Sequence, residues 1–176
     1  MPGLPFQFRQ EAFNLFKSYS HWMFSIPVLF FMVVLCSPVH RLTITDGEGR
    51  TAGRFDLRSG EDFTVRYVHS VQKTPVLEVF RIDFRQGIEL RETLYRDFGA
   101  GLPFLLEGRA VMETAGGWVR IYGINRHMPG IAYRVARFAD FCLLIRGKEI
   151  PFTDFEKPGR PLHFTGERLP FLLSFF

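Results

Sequence analysis

The sequence predicts an all-β domain, a compact antiparallel β-sandwich or barrel of eight or nine short strands, preceded by one N-terminal transmembrane helix. The first reason is that short runs of alternating apolar and polar residues follow one another beyond His40, with Gly or Pro between most of them. The second is composition, because 21 Phe, 16 Gly and 11 Pro among 176 residues favour short strands and turns over a helical bundle. The third is the apolar run 22–39, which has no charge over 18 residues.

Composition and charge exclude several classes of protein. With 23% charged and 47% hydrophobic residues, the chain has too much apolar surface for intrinsic disorder. The net charge is +4, and the basic residues are spread from Arg41 to Arg168 among acids, so no continuous basic stripe for nucleic acid forms. Cys36 and Cys142 belong to no CxxC or Cys/His pattern, so neither a disulfide framework nor a metal site is expected.

The N-terminal region divides into a tail, residues 1–21, and a membrane anchor, residues 22–39. The aromatic-rich tail suits either an interfacial helix or a frayed terminus. As a helix, the anchor is about 27 Å long at about 1.5 Å per residue, close to a hydrocarbon core of roughly 30 Å. A cleaved signal peptide is disfavoured by Leu35 and Pro38 near the cleavage position, and a buried core helix by apolar residues on every face.

The charged residues on either side of the anchor bear on its orientation in the membrane. The tail has two basic residues, whereas four arginines follow the anchor within the next 20 residues, so a count of charges places the domain inside. A long folded domain translocates largely regardless of its charge, however, and the tail resembles the basic region that precedes a signal anchor. The prediction is therefore a domain outside the membrane.

The β domain spans residues 41–168 and is followed by an apolar tail, residues 169–176. Strands are predicted at residues 41–46, 53–57, 62–70, 76–84, 88–95, 118–124, 131–138, 141–146 and 149–152. Gly147 and Lys148 are expected to form the turn between the last two strands.

The hairpin of the third and fourth predicted strands is expected to carry polar residues inward. Side chains alternate across a strand, so one face of the third carries Phe63, Val65, Tyr67 and His69, and one face of the fourth carries Val76, Glu78, Phe80, Ile82 and Phe84. Matching these two faces places Glu78 opposite Tyr67 or His69. In either register, His69 and Glu78 are direct or diagonal neighbours.

A carboxylate that faces a core is costly unless it is paired, so Glu78 needs partners. Tyr67, His69 and Lys73 are the expected ones. The cluster has two interpretations, a buried tie that sets the hairpin register or a polar pocket for a ligand or partner. Catalysis is not expected, because His69 and Ser70 are adjacent on a strand and point to opposite faces, and no GxSxG motif is present.

Two further segments carry polar or conformationally free residues. Gly99 and Gly101, in the run Phe98–Pro103, suit a tight turn or a backbone that another group approaches closely. The strand that begins at Trp118 is expected to end in the run 123–126, where Asn125 forms a local side-chain turn bond and Arg126 pairs with an acid or binds an anion.

These segments together carry a resemblance to a known family. In chain order they are Tyr67–Val71, Lys73–Val76 with Thr74, Glu78, Phe98–Pro103 and Ile124–Arg126. The pattern resembles the bacterial family called domain of unknown function 1850 over about residues 42–152. The resemblance implies a small protein with an N-terminal hydrophobic segment and no established activity, encoded beside TAXI-type tripartite ATP-independent periplasmic (TRAP) transporters.

The leading hypothesis is a membrane-anchored accessory or interaction protein of such a transporter, with a single pass through the bacterial inner membrane and the β domain on the periplasmic side. The expected partners are the transporter permease or its solute-binding protein. The alternative is a β domain that binds a small ligand through His69, Glu78 and Lys73, together with Asn125 and Arg126. No cofactor, metal or nucleic acid is expected in either case.

Overall fold

The computed structural model describes residues 25–33, 35, 37–58, 60–83, 87–96 and 109–171. The predicted tail 1–21, the segment with Gly99 and Gly101, and residues 172–176 lie outside the described residues. The chain forms two compact units, one of residues 1–38 and 170–176 and one of residues 39–169.

In the first unit, residues 25–33 are helical. Seven large apolar side chains of this helix are 55–69% exposed, namely Ile26, Val28, Leu29, Phe30, Phe31, Met32 and Val33. The hydroxyl of Ser37 donates a hydrogen bond of 2.9 Å to the carbonyl of Val33, which occupies an acceptor that a helix end leaves open. No helix within the described residues has the length and apolar character needed to cross a membrane. Residues 22–24, 34 and 36 of the predicted anchor lie outside them.

Eleven strands are present in the described residues. They are β1 Pro38–Thr45, β2 Thr51–Leu57, β3 Asp62–Val68, β4 Pro75–Asp83, β5 Gly87–Tyr95, β6 Val111–Ala115, β7 Trp118–Met128, β8 Gly130–Arg134, β9 Cys142–Ile145, β10 Lys148–Pro151 and β11 Pro161–Pro170. A single turn of 3₁₀ helix, Phe152–Asp154, follows β10.

The strands form two antiparallel sheets. The four-stranded sheet has the order β2-β1-β11-β8, and the seven-stranded sheet has the order β10-β9-β3-β4-β5-β7-β6. Buried side chains of both sheets share one core. It includes Leu42, Ile44, Leu57, Leu162 and Phe164 from the four-stranded sheet and Phe63, Val65, Phe80, Ile82 and Ile88 from the seven-stranded sheet. The all-β prediction is therefore confirmed, in the form of two sheets packed face to face.

Two strands were not predicted from the sequence, β6 and β11. The segment of β6 has only five residues, and Val111 and Ala115 there are exposed, so its alternation is weak. The segment of β11 begins and ends with Pro and contains Gly166, a composition that is typical of a loop. Its strand conformation depends on β1 and β8, which supply a partner on each side.

Several predicted strand ends are wrong by a few residues. Strand β1 starts at Pro38, inside the predicted anchor, whereas β8 ends at Arg134. The last hairpin turns at Arg146 and Gly147, one residue earlier than predicted, because both have the positive φ angles, 50° and 72°, that a type I′ turn needs. Tertiary pairing decides such ends more than local pattern does.

The strand that begins at Trp118 does not end near Asn125 as predicted. Gly123 and Asn125 have positive φ angles of 71° and 49°, and the pairing with β5 shifts at this point. This geometry is a β-bulge, which bends a strand without ending it. Strand β7 therefore continues to Met128.

Candidate functional site

The polar group at the centre of the domain is the carboxyl group of Glu78. Glu78 lies on β4 between Val76 and Phe80, which are buried on the same face. Its direct neighbour across the hairpin is Val65, and Tyr67 is its diagonal neighbour. The predicted inward face is confirmed, and Glu78 is partly buried there.

Two tyrosine hydroxyls donate hydrogen bonds to this carboxyl group. The hydroxyl of Tyr133, on β8 of the other sheet, donates a short hydrogen bond to Oε2. The hydroxyl of Tyr67 donates to Oε1 at 3.5 Å, which is long for a hydrogen bond and therefore weak. The carboxyl group thus links the four-stranded sheet to the seven-stranded sheet. We call these three residues the Glu78 cluster.

Aromatic rings pack around the Glu78 cluster. Phe141 stacks on Tyr67 with the ring centroids 5.0 Å apart, and Phe152 stacks on Phe141 at 5.3 Å. Tyr133 contacts the rings of Phe141, Phe152 and Phe164 with centroid distances of 5.6–5.9 Å. The carboxyl group therefore lies in a largely apolar environment, where an unpaired charge is costly.

The environment shifts the pKa values of all three groups. Burial raises the pKa of the Glu78 carboxyl above its usual range, and the hydrogen bonds from Tyr133 and Tyr67 partly oppose this shift. Burial and the proximity of Glu78 raise the pKa values of both tyrosines. Both hydroxyls therefore keep their protons at physiological pH and remain donors. Chemically, the cluster can hold a proton on Glu78 and tie two sheets together.

His69 does not occupy the position predicted for it. Its Nδ1 accepts hydrogen bonds from the backbone N–H groups of Val71 and Gln72 at 3.3 and 3.2 Å, so the imidazole stabilises the turn after β3. The backbone N–H of His69 donates to the carbonyl of Thr74, which closes the same turn. The prediction that Glu78 lies opposite Tyr67 or His69 is therefore wrong by two residues or more.

The physical reason for this error is the period of a strand. A register shift of two residues leaves every side chain on the same face, so matching the apolar faces determines the face but not the neighbour. Here the turn takes up residues 69–74, and strand pairing starts at Val68 and Pro75. Backbone bonds within the turn, which the residue pattern does not report, set the register.

The remaining predicted site residues within the described part of the chain lie in the β3–β4 turn or on β7. Ser70 and Lys73 are exposed in the β3–β4 turn, where Lys73 has a positive φ of 56°. The hydroxyl of Thr74 is buried and has no hydrogen-bond partner among the residues that the structure describes. Asn125 and Arg126 are exposed on β7, and Arg126 lies opposite Leu90 on β5. Gly99 and Gly101 lie outside the described residues.

Sequence reasoning missed Tyr133 and its aromatic neighbours as members of the site. Tyr133 alternates with Ile131 and Val135 in a predicted strand, so an inward position could have been inferred. Its contact with Glu78 could not be inferred from the sequence, because the two residues are 55 positions apart and lie in different sheets.

A second group of polar residues includes His40 on β1 and Asp83 on β4. Burial lowers the pKa of His40, as does the nearby Arg168 on β11, whereas Asp83 acts in the opposite direction. A carboxylate oxygen of Asp83 also lies 2.9 Å from Nδ1 of His127 on β7. In the described part of the chain, no three His, Cys, Asp or Glu side chains are placed to hold a metal ion.

The comparisons with known proteins identify the family. No curated protein and no solved structure matches the chain. The family model described as Domain of unknown function (DUF1850) matches residues 63–152, which are 90 of the 176 residues. The matched span includes all three residues of the Glu78 cluster and begins later than the resemblance predicted, at Phe63 instead of Leu42. The chain belongs to the DUF1850 family.

Proposed function

We propose that this protein is a membrane-anchored accessory or interaction protein whose β domain contacts a transport system. The observation that carries the proposal is the exposure of the large apolar side chains of residues 26–33, inside the uncharged run 22–39. Contiguous exposed apolar surface of this kind is typical of membrane or protein contacts. The anchor and its single pass through the inner membrane are part of this proposal.

Simple energetics favour burial of this helix in a lipid environment. Seven large apolar side chains remain between half and two-thirds exposed to water. Moving such side chains out of water yields about 1.5 to 3 kcal/mol each, or roughly 10 to 20 kcal/mol for the set as an upper bound. An attachment of this strength keeps the β domain at the membrane surface.

The Glu78 cluster supports a structural role for the domain core over ligand binding. Each carboxyl oxygen of Glu78 accepts a hydrogen bond from a tyrosine, and the bond from Tyr133 joins the two sheets. A paired buried carboxyl is the arrangement expected of a tie within a core. We therefore propose a non-enzymatic domain whose surface, not its core, meets a partner.

The partner we propose is the permease or the solute-binding protein of a TAXI-type TRAP transporter, with the β domain on the periplasmic side. This choice extends the family resemblance, which associates such proteins with these transporters. A domain held at the membrane by its anchor is placed at the level where a permease exposes its loops and where a solute-binding protein docks.

Arginine substitutions in the helix are expected to release the protein from membranes. Arginine near the middle of a membrane segment costs about 2.5 to 3.5 kcal/mol, so Val28→Arg combined with Met32→Arg removes much of the attachment energy. The wild-type protein should stay in the membrane through an alkaline carbonate wash, and the double variant should appear in the wash. Val71→Arg is the matched control, because Val71 is exposed to the same degree, 65% against 62% for Val28, but lies in the β3–β4 turn.

Release of the wild-type protein by the wash would contradict the anchor. The side of the membrane is read separately with a fusion at the C-terminus. Alkaline phosphatase activity of that fusion is expected if the β domain is periplasmic, and an inactive phosphatase with a fluorescent cytoplasmic reporter would reverse the orientation.

Purification of the tagged full-length chain in mild detergent is expected to recover TRAP transporter subunits. The control is a chimera in which residues 1–40 carry an unrelated soluble domain, so that capture through the anchor alone is detected. Enrichment of the permease or the solute-binding protein with the native chain, but not with the chimera, supports the proposal. Recovery of the chain alone, in conditions that keep the transporter intact, overturns it.

A further inference from the structure

The loop between β8 and β9 borders an aromatic cleft. The cleft has a volume of about 270 Å³, and its lining includes Phe141, Phe152, Pro151 and Pro158. An engineered apolar cavity of about 150 Å³ accepts benzene, so this cleft has room for an aromatic ring. Phe152 is fully buried beneath it and Phe141 is partly buried, which makes the floor rigid.

An aromatic side chain protrudes from the rim of this cleft. Phe138 lies in the same loop and is 87% exposed, the largest exposure among the large apolar side chains described. Arg137, directly before Phe138, and Asp140, two residues after it, line the cleft. A protruding ring and a cleft that fits a ring therefore lie side by side on one surface, which we call the Phe138 surface.

The charges at the rim complement each other. Arg137 and Asp140 flank Phe138 with opposite charges, and within the described residues Arg137 forms no ion pair. The carboxylate of Asp140 is 71% exposed and 3.9 Å from the guanidinium of Arg66, so it is still largely solvated. If two copies meet across a twofold axis at this surface, Arg137 of one can face Asp140 of the other.

The arrangement points to a second copy of this chain as the occupant. When a protruding group and its cleft are adjacent on one surface, a twofold axis satisfies both contacts at once and closes the assembly at a dimer. We propose that two copies pair through the Phe138 surface, each placing its Phe138 ring in the cleft of the other. The pairing involves the β domain alone and does not depend on membrane attachment.

The test measures the association of the full-length protein in mild detergent by sedimentation over a range of concentrations. The wild-type chain should form dimers. Phe138→Ala removes the ring from both copies, and the dissociation constant should rise about 100- to 10,000-fold, as expected for the loss of two buried phenyl side chains. Ala136→Trp fills the cleft from within and should weaken the dimer comparably. Val71→Ala, an equally simple truncation of an exposed apolar residue in another turn, should leave the dissociation constant unchanged.

Charge exchange at the rim provides an independent readout. Arg137→Asp and Asp140→Arg should each weaken the dimer, because each sets two like charges against each other, and the double exchange should restore it. Arg137 is exposed, so the thermal melt of Arg137→Asp should match the wild type. Asp140 has a positive φ of 44° and lies 3.9 Å from Arg66, so a melt first establishes that Asp140→Arg and the double exchange are folded at the temperature of the measurement.

Two results would overturn the proposal. One is a monomer at every concentration tested. The other is a dimer with the same dissociation constant in the wild type, Phe138→Ala and the single charge variants, since association would then use another surface, such as the exposed helix.

Discussion

Replacement of Phe152 by alanine is expected to lower the free energy of unfolding by about 3 to 5 kcal/mol. Phe152 is fully buried and contacts the rings of Phe141 and Phe164, both with centroids 5.3 Å away, as well as Tyr133. Truncation removes the apolar contacts and leaves a cavity that the neighbouring rings cannot fill, because Tyr133 and Phe164 are held by strands β8 and β11. Thermal melts followed by near-ultraviolet circular dichroism, with the full-length chain in mild detergent, measure this loss.

The chain contains its own control for this experiment. Phe138→Ala is the same chemical change at a position that is 87% exposed, in the loop that leads into β9. At a protein concentration where both variants are monomeric, it should change the free energy of unfolding by no more than about 0.5 kcal/mol. Equal losses for the two variants would mean that the aromatic core between the sheets is not packed as described.

Glu78→Gln is expected to stabilise the protein at pH 8 and to have little effect near pH 4. Burial raises the pKa of the Glu78 carboxyl in the folded state, so between its unfolded and folded pKa values the folded state binds more protons. The contribution of Glu78 to the free energy of unfolding is therefore fully present below the pKa of the unfolded state. It is lost as pH rises through the pKa of the folded state. Glutamine is neutral at every pH and keeps a group that can bond to Tyr133. The difference between variant and wild type isolates Glu78 from the other titrating groups, including His40.

Removal of the tyrosine hydroxyls tests the Glu78 cluster through its hydrogen-bond donors. Tyr133→Phe removes the stronger hydrogen-bond donor, so the ionised buried carboxyl group loses its main partner. The free energy of unfolding should fall by about 1 to 3 kcal/mol, with a larger loss at pH 8 than at pH 4. Tyr67→Phe is the matched control, because its hydroxyl lies 3.5 Å from the carboxyl oxygen and its loss should be smaller.

A double-mutant cycle completes the measurement. If Tyr133 acts through Glu78, the effect of Tyr133→Phe should nearly vanish in a Glu78→Ala background. Additive effects at pH 8, or a Glu78→Gln variant with the same pH profile as the wild type, would contradict the role assigned to the cluster.

The sequence predicted the strand pattern well where alternation is clear. Strands β3 and β4 alternate strictly, and Phe63, Val65, Phe80 and Ile82 are buried on the face predicted for them. Prediction failed where the local pattern is weak or misleading. Strand β11 contains Gly and Pro and is a strand only because β1 and β8 lie on either side of it.

The candidate site was predicted only in part, because local alternation relates residues of one hairpin but not residues of different sheets. Tyr67 and Glu78 are inward neighbours as expected, because they lie on adjacent strands of one hairpin. His69 is not their partner, since the turn draws it into hydrogen bonds with Val71 and Gln72. The stronger partner, Tyr133, comes from the other sheet.

The sequence by itself determined the secondary-structure class of this protein, the faces of its regular strands, the inward position of Glu78 and the membership of a family. These properties depend on the local period of side chains and on the order of short motifs. Only the tertiary structure decided the register of the β3–β4 hairpin, the strands β6 and β11, the tyrosine pair around Glu78 and the juxtaposition of Phe138 with an aromatic cleft. Each of these depends on which distant segments pack together, and a strand period of two residues contains no information about which strand of the opposite sheet a side chain will meet.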